Sequence, residues 1–222
     1  MELVASEISK LPAVETCRYR PGERLGGDTT DRLRQLHVYI RDGAIGLRVG
    51  TGRSTSALLD VFGPGRLLPP WLWEATDGWE GRYATALAPT TTWELPTGVF
   101  ERQVAVHPPL AAALDSLKAR GSAMSLDRLA MLGLRDPLRR VAHALLLLLE
   151  RLSAAPGSPP GARLAVSQEL IAAFASVSRQ TANRQLRRLA RCGITALQRR
   201  AVDVRDLAAL CGVAAGRRSL GR

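Results

Sequence analysis

Hydrophobic and polar residues follow two different periods along the chain, and the change of period divides it. From Thr16 to Leu95 the apolar residues come in short runs, Leu36 to Arg41, Ala44 to Val49, Ser56 to Phe62 and Tyr83 to Ala88. Turn-forming clusters separate them: Arg20-Pro21-Gly22-Glu23, Gly26-Gly27-Asp28, Asp42-Gly43, Gly50-Thr51-Gly52 and Gly63-Pro64-Gly65. Short runs with this punctuation predict an all-β domain, a small barrel or sandwich. Within it, His37 to Val49 reads as a hairpin, because Asp42-Gly43 supplies the left-handed backbone of a tight turn. Ahead of the β region, Leu3, Ile8 and Leu11 predict a short helix ending at Pro12.

Beyond Pro108-Pro109 the period lengthens to that of a helix, running to about Leu134. Leu110, Leu114, Leu117, Met124 and Met131 keep a four-three spacing, interrupted at Gly121 and Arg128 and widened by Leu126, Leu129 and Leu132. Such a stripe fits either a dimer seam or a helix packed on its own barrel. Asp136-Pro137 restarts a helix, Asp as cap and Pro at the first position, with Val141, Ala144, Leu145 and Leu148 facing a core. Ala154 to Arg163 is a Pro/Gly/Ser loop, and Leu164 to Val166 a short strand.

Ser167 to Gly193 carries the clearest pattern. Leu170, Ile171 and Phe174 give the buried face of a short helix with Ser167 as its N-cap; after a break at Ser176-Val177, Ser178 caps a second helix with Ala182, Leu186 and Leu189 inward. Ser176 stands where glycine is usual in such a turn, so its backbone must either avoid a positive φ or accept a cost of about 1 kcal/mol. The second helix stops at Gly193, and its outward residues are Arg179, Gln180, Asn183, Arg184, Arg187, Arg188 and Arg191, with no acid among them. Two short helices with a tight turn, the second presenting Arg, Gln and Asn, form a helix-turn-helix that places a recognition helix in the DNA major groove. The bland alternative is an amphipathic hairpin with solvated arginines. After it, Ile194 to Leu197 and Ala201 to Val204 flank Gln198-Arg199-Arg200 as a two-stranded wing with a basic tip. Asp206 to Cys211 predicts a last short helix, and Ala214 to Arg222 a disordered basic tail.

Charge sharpens this picture. The 222-residue chain has a net charge of +11 and a pI near 11.0. From Arg163 onward there are twelve arginines against Glu169, Asp203 and Asp206, so most of the excess lies at the helix-turn-helix end. That is the electrostatic footprint of phosphate binding. The longest apolar run, Ala144 to Leu149, is far short of the ~20 residues a bilayer span needs, and the N-terminus has no signal-peptide core, so a cytoplasmic protein is expected. Cys17, Cys192 and Cys211 are widely separated, which gives neither a disulfide framework nor a metal or iron–sulfur motif. His37, His107 and His143 have no partnering motif. With no P-loop, dinucleotide fingerprint or zinc-binding His/Glu pair, nothing indicates an enzyme, and no cofactor is implied.

A β domain, a long helix and a winged helix-turn-helix, in that order, resemble the Crp/Fnr family of bacterial transcription regulators. The resemblance is strongest at Ser178-Arg179-Gln180-Thr181-Ala182-Asn183-Arg184, which is similar to the family's Ser-Arg-Glu-Thr-Val-x-Arg recognition helix, and at Leu186 to Ile194, its continuation into the wing. Tyr19 to Glu23 and Phe62 to Gly65 are weaker echoes. The resemblance implies an α+β chain with a β-barrel or jelly-roll sensor-like domain at 1–107, a dimerisation helix at 108–135 and a winged helix-turn-helix domain at 136–222. It also implies a homodimer that binds an inverted-repeat operator in double-stranded DNA and contacts RNA polymerase. Arg179 and Arg184 match family positions that contact bases or phosphates, whereas Gln180 replaces the usual Glu. Side-chain chemistry then predicts that Arg179, Gln180, Asn183 and Arg184 read base edges, with Arg187, Arg188, Arg199 and Arg200 as further DNA contacts and Ser178 at the helix start.

The sensor half departs further from the family. Where cyclic-nucleotide-binding members carry a ribose-binding carboxylate and an Arg-Ser phosphate clamp, this chain has Pro70 and Arg82-Tyr83, and proline lacks the amide donor a phosphate needs. Tight cyclic-nucleotide binding is not expected. Trp71, Trp73 and Trp79 crowd the same stretch, either lining a pocket for another planar effector with Arg82 and Tyr83 or filling the core. The leading expectation is therefore a dimeric, sequence-specific regulator; the alternative is an effector-binding signalling module whose basic lobe docks an acidic protein or non-specific nucleic acid.

Overall fold

The structure, a computed structural model, describes residues 2–11, 13–27, 32–50, 56–73, 80–152 and 163–220. Pro12, Asp28, Thr51-Gly52, Trp79 and most of the 154–163 loop, all singled out above, lie outside the described residues. The chain divides into two compact units, Met1–Ala123 and Met124–Arg222.

The first unit runs α1 (Glu2–Lys10), β1 (Glu15–Tyr19), β2 (Leu36–Asp42), β3 (Ile45–Gly50), β4 (Ser56–Phe62), β5 (Leu67–Leu68), β6 (Glu80–Ala86), β7 (Thr90–Pro96), α2 (Thr97–Val106) and the first part of α3 (Pro108–Leu132). Its strands form two antiparallel sheets, ordered β1-β7-β2-β5 and β4-β3-β6. Val38, Ile40 and Leu68 of the first sheet share a core with Ile45, Leu47 and Ala84 of the second, so the unit is a two-sheet sandwich, and no closed barrel forms among the described residues. The opposite face of the first sheet is also covered: Tyr39 and Leu95 pack with Val4 and Ile8 of α1, Phe100 of α2, and Leu110 and Leu114 of α3. A sheet buried on both faces explains the unbroken buried run Val38-Tyr39-Ile40.

The expected hairpin between β2 and β3 does not form. β2 pairs with β5 and β7, while β3 pairs with β4 and β6, so the chain crosses from one sheet to the other at Asp42-Gly43. Gly43 does adopt a positive φ of 90°. Its glycine requirement comes from a close approach, since a Cβ there would lie 2.4 Å from the Pro89 carbonyl oxygen. The Thr90 hydroxyl accepts from the Ala44 amide at 3.2 Å and donates to the Ala88 carbonyl at 2.8 Å, stapling this corner to the one between β6 and β7. α2 has no counterpart in the sequence pattern: Pro96 offers no side-chain cap and only Phe100 is fully buried.

α3 carries two stripes. Leu110 and Leu114 are buried within the first unit; Met124, Arg128 and Met131 are buried within the second. At these five positions the four-three stripe read from the sequence is covered by the chain itself, while Leu117 is only half-buried. The Arg128 interruption has a structural role, its guanidinium lying 4.8 Å from the centre of the Phe174 ring. Two positions round the helix, Ala112, Ser116, Ala119, Ala123, Leu126 and Ala130 form a second, unbroken four-three stripe that is exposed throughout.

The second unit continues with α4 (Pro137–Leu152), β8 (Arg163–Leu164), α5 (Gln168–Phe174), α6 (Arg179–Arg191), β9 (Thr195–Gln198), β10 (Ala201–Val204) and α7 (Leu207–Ala214). Asp136 caps α4, its carboxylate accepting from the Leu138 amide at 2.9 Å. Val141, Ala144, Leu145 and Leu148 are fully buried, as their spacing predicts. The wing gains a third strand: β8 adds to β10, giving the order β8-β10-β9. α7 runs three residues past Cys211. The expected disordered tail is corrected as far as Leu220, which is buried and whose carbonyl accepts from Arg188, because an apolar residue at that position has a core to enter.

Candidate nucleic-acid interface

Short-range hydrogen bonds set the helix pair. The Ser167 hydroxyl accepts from the Leu170 amide at 3.1 Å, fixing the start of α5. The Ser178 hydroxyl accepts from the Thr181 amide at 3.1 Å and donates to the Thr181 hydroxyl at 2.9 Å, fixing the start of α6. Between them Ser176 takes a φ of 49°, so the left-handed turn forms without glycine. The Val177 amide bonds back to the Ala172 carbonyl at 3.0 Å. Arg140 holds the turn from outside the motif, donating to the Ser176 carbonyl at 3.3 Å and, through Nε, to the Leu134 carbonyl at 3.0 Å. α6 ends at Gly193, φ 73°, where the Ile194 amide reaches the Leu189 carbonyl at 3.1 Å and the Gly193 amide the Ala190 carbonyl at 2.9 Å, a doubly bonded left-handed cap.

Packing decides which face of α6 looks outward. Ala182, Leu186 and Leu189 are fully buried, and Gln185, not expected there, is buried beside them. On the opposite side Arg179, Gln180, Asn183, Arg184, Arg187, Ala190 and Arg191 line one open depression. The four arginines of this face make no ion pair or hydrogen bond among the described residues, and no acidic side chain lines it. Arg188 departs from the expectation: it is half-buried on another side of α6 and bonded to the Leu220 carbonyl. Arg199 and Arg200 are exposed at the wing tip, a two-residue turn in which Arg200 has a φ of 60°. Asn183 is half-buried and its amide donates to Gln168 at the start of α5, a partner the periodic pattern could not identify.

The described sensor residues differ in exposure and partners. Trp71 is 60% exposed, whereas Trp73 is fully buried in the sandwich core. Arg82 donates to the Leu72 carbonyl at 3.4 Å, and Tyr83, the next residue on the strand and so on its other face, lies under the Arg24 guanidinium at 4.1 Å. Among the described residues the one gathering of possible metal ligands is Glu15, Cys17 and Glu94. Arg32 already joins the carboxylates, 3.2 Å from Glu94 and paired also with Glu15, and the Tyr19 hydroxyl donates to Glu94. Burial, and then the Glu94 charge, push the Cys17 thiol up to about 11, so it stays protonated near neutral pH and is a poor nucleophile.

A family model described as a Crp-like helix-turn-helix domain matches residues 139–213. Solved structures with similar folds include FixK2 from Bradyrhizobium japonicum, 19% identical over 91% of this chain and 98% of that one, TM-score 0.71. A CRP/FNR family transcriptional regulator from Thermus thermophilus is 21% identical over 93% of this chain and all of its own, TM-score 0.69. A CooA variant from Carboxydothermus hydrogenoformans is 17% identical over 96% and 90%, TM-score 0.67. No curated protein sequence matches the chain significantly. Residues 139–213 thus match a Crp-like helix-turn-helix domain, and the chain has the sheet-then-helix-turn-helix fold of solved CRP/FNR regulators.

Proposed function

We propose that this chain is a sequence-specific transcription regulator that binds an inverted-repeat operator as a homodimer. The supporting observation is the outward face of α6, where four arginines, Gln180 and Asn183 share one open surface with no acid. An unneutralised cationic face of this kind is complementary to phosphate and to base edges in a major groove. Arg179, Gln180, Asn183 and Arg184 read bases, and Arg187, Arg199 and Arg200 hold phosphates. Gln180 in place of the Glu found in similar recognition helices removes an acceptor suited to cytosine N4 and favours adenine instead.

The dimer forms through the exposed α3 stripe from Ala112 to Ala130, whose small residues and Leu126 suit close helix pairing; Leu129, 64% exposed, flanks it. Two recognition helices on one dimer face place the operator half-sites about one helical turn, ~34 Å, apart. The bound dimer contacts RNA polymerase. Regulation is independent of cyclic nucleotides, since Pro70 and Tyr83 replace the clamp residues; micromolar binding of a cyclic nucleotide in calorimetry would refute that part. Selection of bound sequences from random DNA tests the central proposal: a discrete palindrome is the expected result, and uniform coating of genomic DNA in a footprint would overturn it.

A further inference from the structure

Among the described residues lining the open face of α6, Asn183 is the one whose side chain is held by another element. Its Nδ2 donates to Oε1 of Gln168, the first residue of α5, across the helix-turn-helix. Gln180, Arg184 and Arg187 on the same face have no such contact among the described residues. The Asn183 side-chain carbonyl has no hydrogen-bond partner among the described residues, and Asn183 remains half-buried rather than free to rotate in solvent.

An asparagine amide has two N–H groups and one carbonyl. With the N–H trans to the side-chain carbonyl held on Gln168, the N–H cis to it and the carbonyl remain as an adjacent donor and acceptor. That pair matches adenine, which offers N7 as acceptor and N6–H as donor in the major groove. A freely turning amide presents either edge and must be immobilised on binding, and both effects lower discrimination. Resting on the reading of α6 as a recognition helix, we infer that Gln168 is a specificity-determining residue that acts through Asn183, locking its amide so that it selects adenine at one position of each half-site. Gln168 acts as a positioning residue here, through its Oε1 acceptor.

The test is selection from random DNA with the full-length chain and its variants, followed by titration of the selected site and of single-base substitutions in it. Asn183→Ala identifies the adenine that Asn183 reads. Gln168→Leu, similar in volume but without the acceptor, is expected to lose about tenfold discrimination at that same base pair and no other. Gln168→Glu keeps an acceptor facing Asn183 and is expected to retain the adenine preference. Gln168→Leu with Asn183→Ala is expected to discriminate no worse than Asn183→Ala alone. Gln168→Ala replaces the leucine variant if thermal melting shows that leucine disturbs folding. The inference is overturned if the Gln168 variants keep the adenine preference, weaken all sequences equally as a general structural loss would, or alter a different base pair. A wild-type chain that selects no sequence would overturn the DNA-reading proposal itself, an outcome separate from all of these.

Discussion

The turn at Ser176 offers a clean test of how the helix pair is held. A non-glycine residue in the left-handed region costs about 1–2 kcal/mol, while glycine costs about 0.5–1 kcal/mol in extra unfolded-state entropy. Ser176 has a φ of 49° and an exposed side chain, and the turn's hydrogen bonds run through its backbone N–H and carbonyl, which substitution leaves in place. Ser176→Gly should therefore stabilise the second unit by about 0.5–1 kcal/mol, a rise of a few degrees in the midpoint of a unit of roughly 100 residues. Gly193→Ala is the converse at the other end of α6: a φ of 73° with open space around the new Cβ makes its cost purely conformational, about 1 kcal/mol of destabilisation. Calorimetry on the full chain, following the transition of the unit from Met124 onward, reads both. If Ser176→Gly instead destabilises by as much as Gly193→Ala, the serine side chain contributes something its exposure does not indicate, and the conformational account fails.

Arg184→Ala should lose about 1–3 kcal/mol at the selected operator and relax its preference, and unchanged selectivity in a binding titration would refute base reading by Arg184. Leu126→Glu places a charge in the exposed α3 stripe and should dissociate the dimer in sedimentation without lowering chain stability. Met131→Ala, at a buried position, should cost about 2–5 kcal/mol of stability and leave association intact. Three phosphate-holding arginines per chain give a slope of log K against log salt of about −5 for the dimer, and Arg199→Ala should reduce its magnitude by about 2. Burial, with a smaller contribution from Lys118, lowers the His37 pKa to about 4, below its unfolded value. The unfolded chain therefore binds the proton first, so this contribution is present above about pH 6.5 and is lost as pH falls toward 4. Urea titrations across that range should show the loss in the wild type and not in His37→Leu.

Sequence and structure agree where a feature is set by neighbours along the chain. The caps at Ser167 and Ser178 each bond an amide three residues on, and the period of Ala182, Leu186 and Leu189 needs only the helix itself. Agreement fails where the partner is distant. Asp42-Gly43 does turn the chain, but whether two strands pair across a turn depends on what else competes for their edges, and β7 takes β2 while β4 and β6 take β3. Leu220 looked like a tail residue because nothing nearby in sequence shows the core it enters. α2 was illegible because Gly98 and its three valines weaken helix propensity and a single buried Phe100 leaves no period to read.

The same distinction applies to the candidate site and to α3. A four-three apolar spacing says that one side of a helix is covered without saying by what, so the stripe from Leu110 to Met131 served equally well for a partner chain or for its own. Five of its positions are buried in the chain itself, while the Ala112 to Ala130 stripe, too poor in large apolar residues to attract notice, is exposed. On α6, counting arginines puts Arg188 with the rest, yet its guanidinium is held at Leu220 while Arg179, Arg184, Arg187 and Arg191 share the open face. Charge therefore locates the surface, but the reading of individual bases depends on side-chain orientation. For Asn183 that orientation is set by Gln168, fifteen residues earlier in the chain.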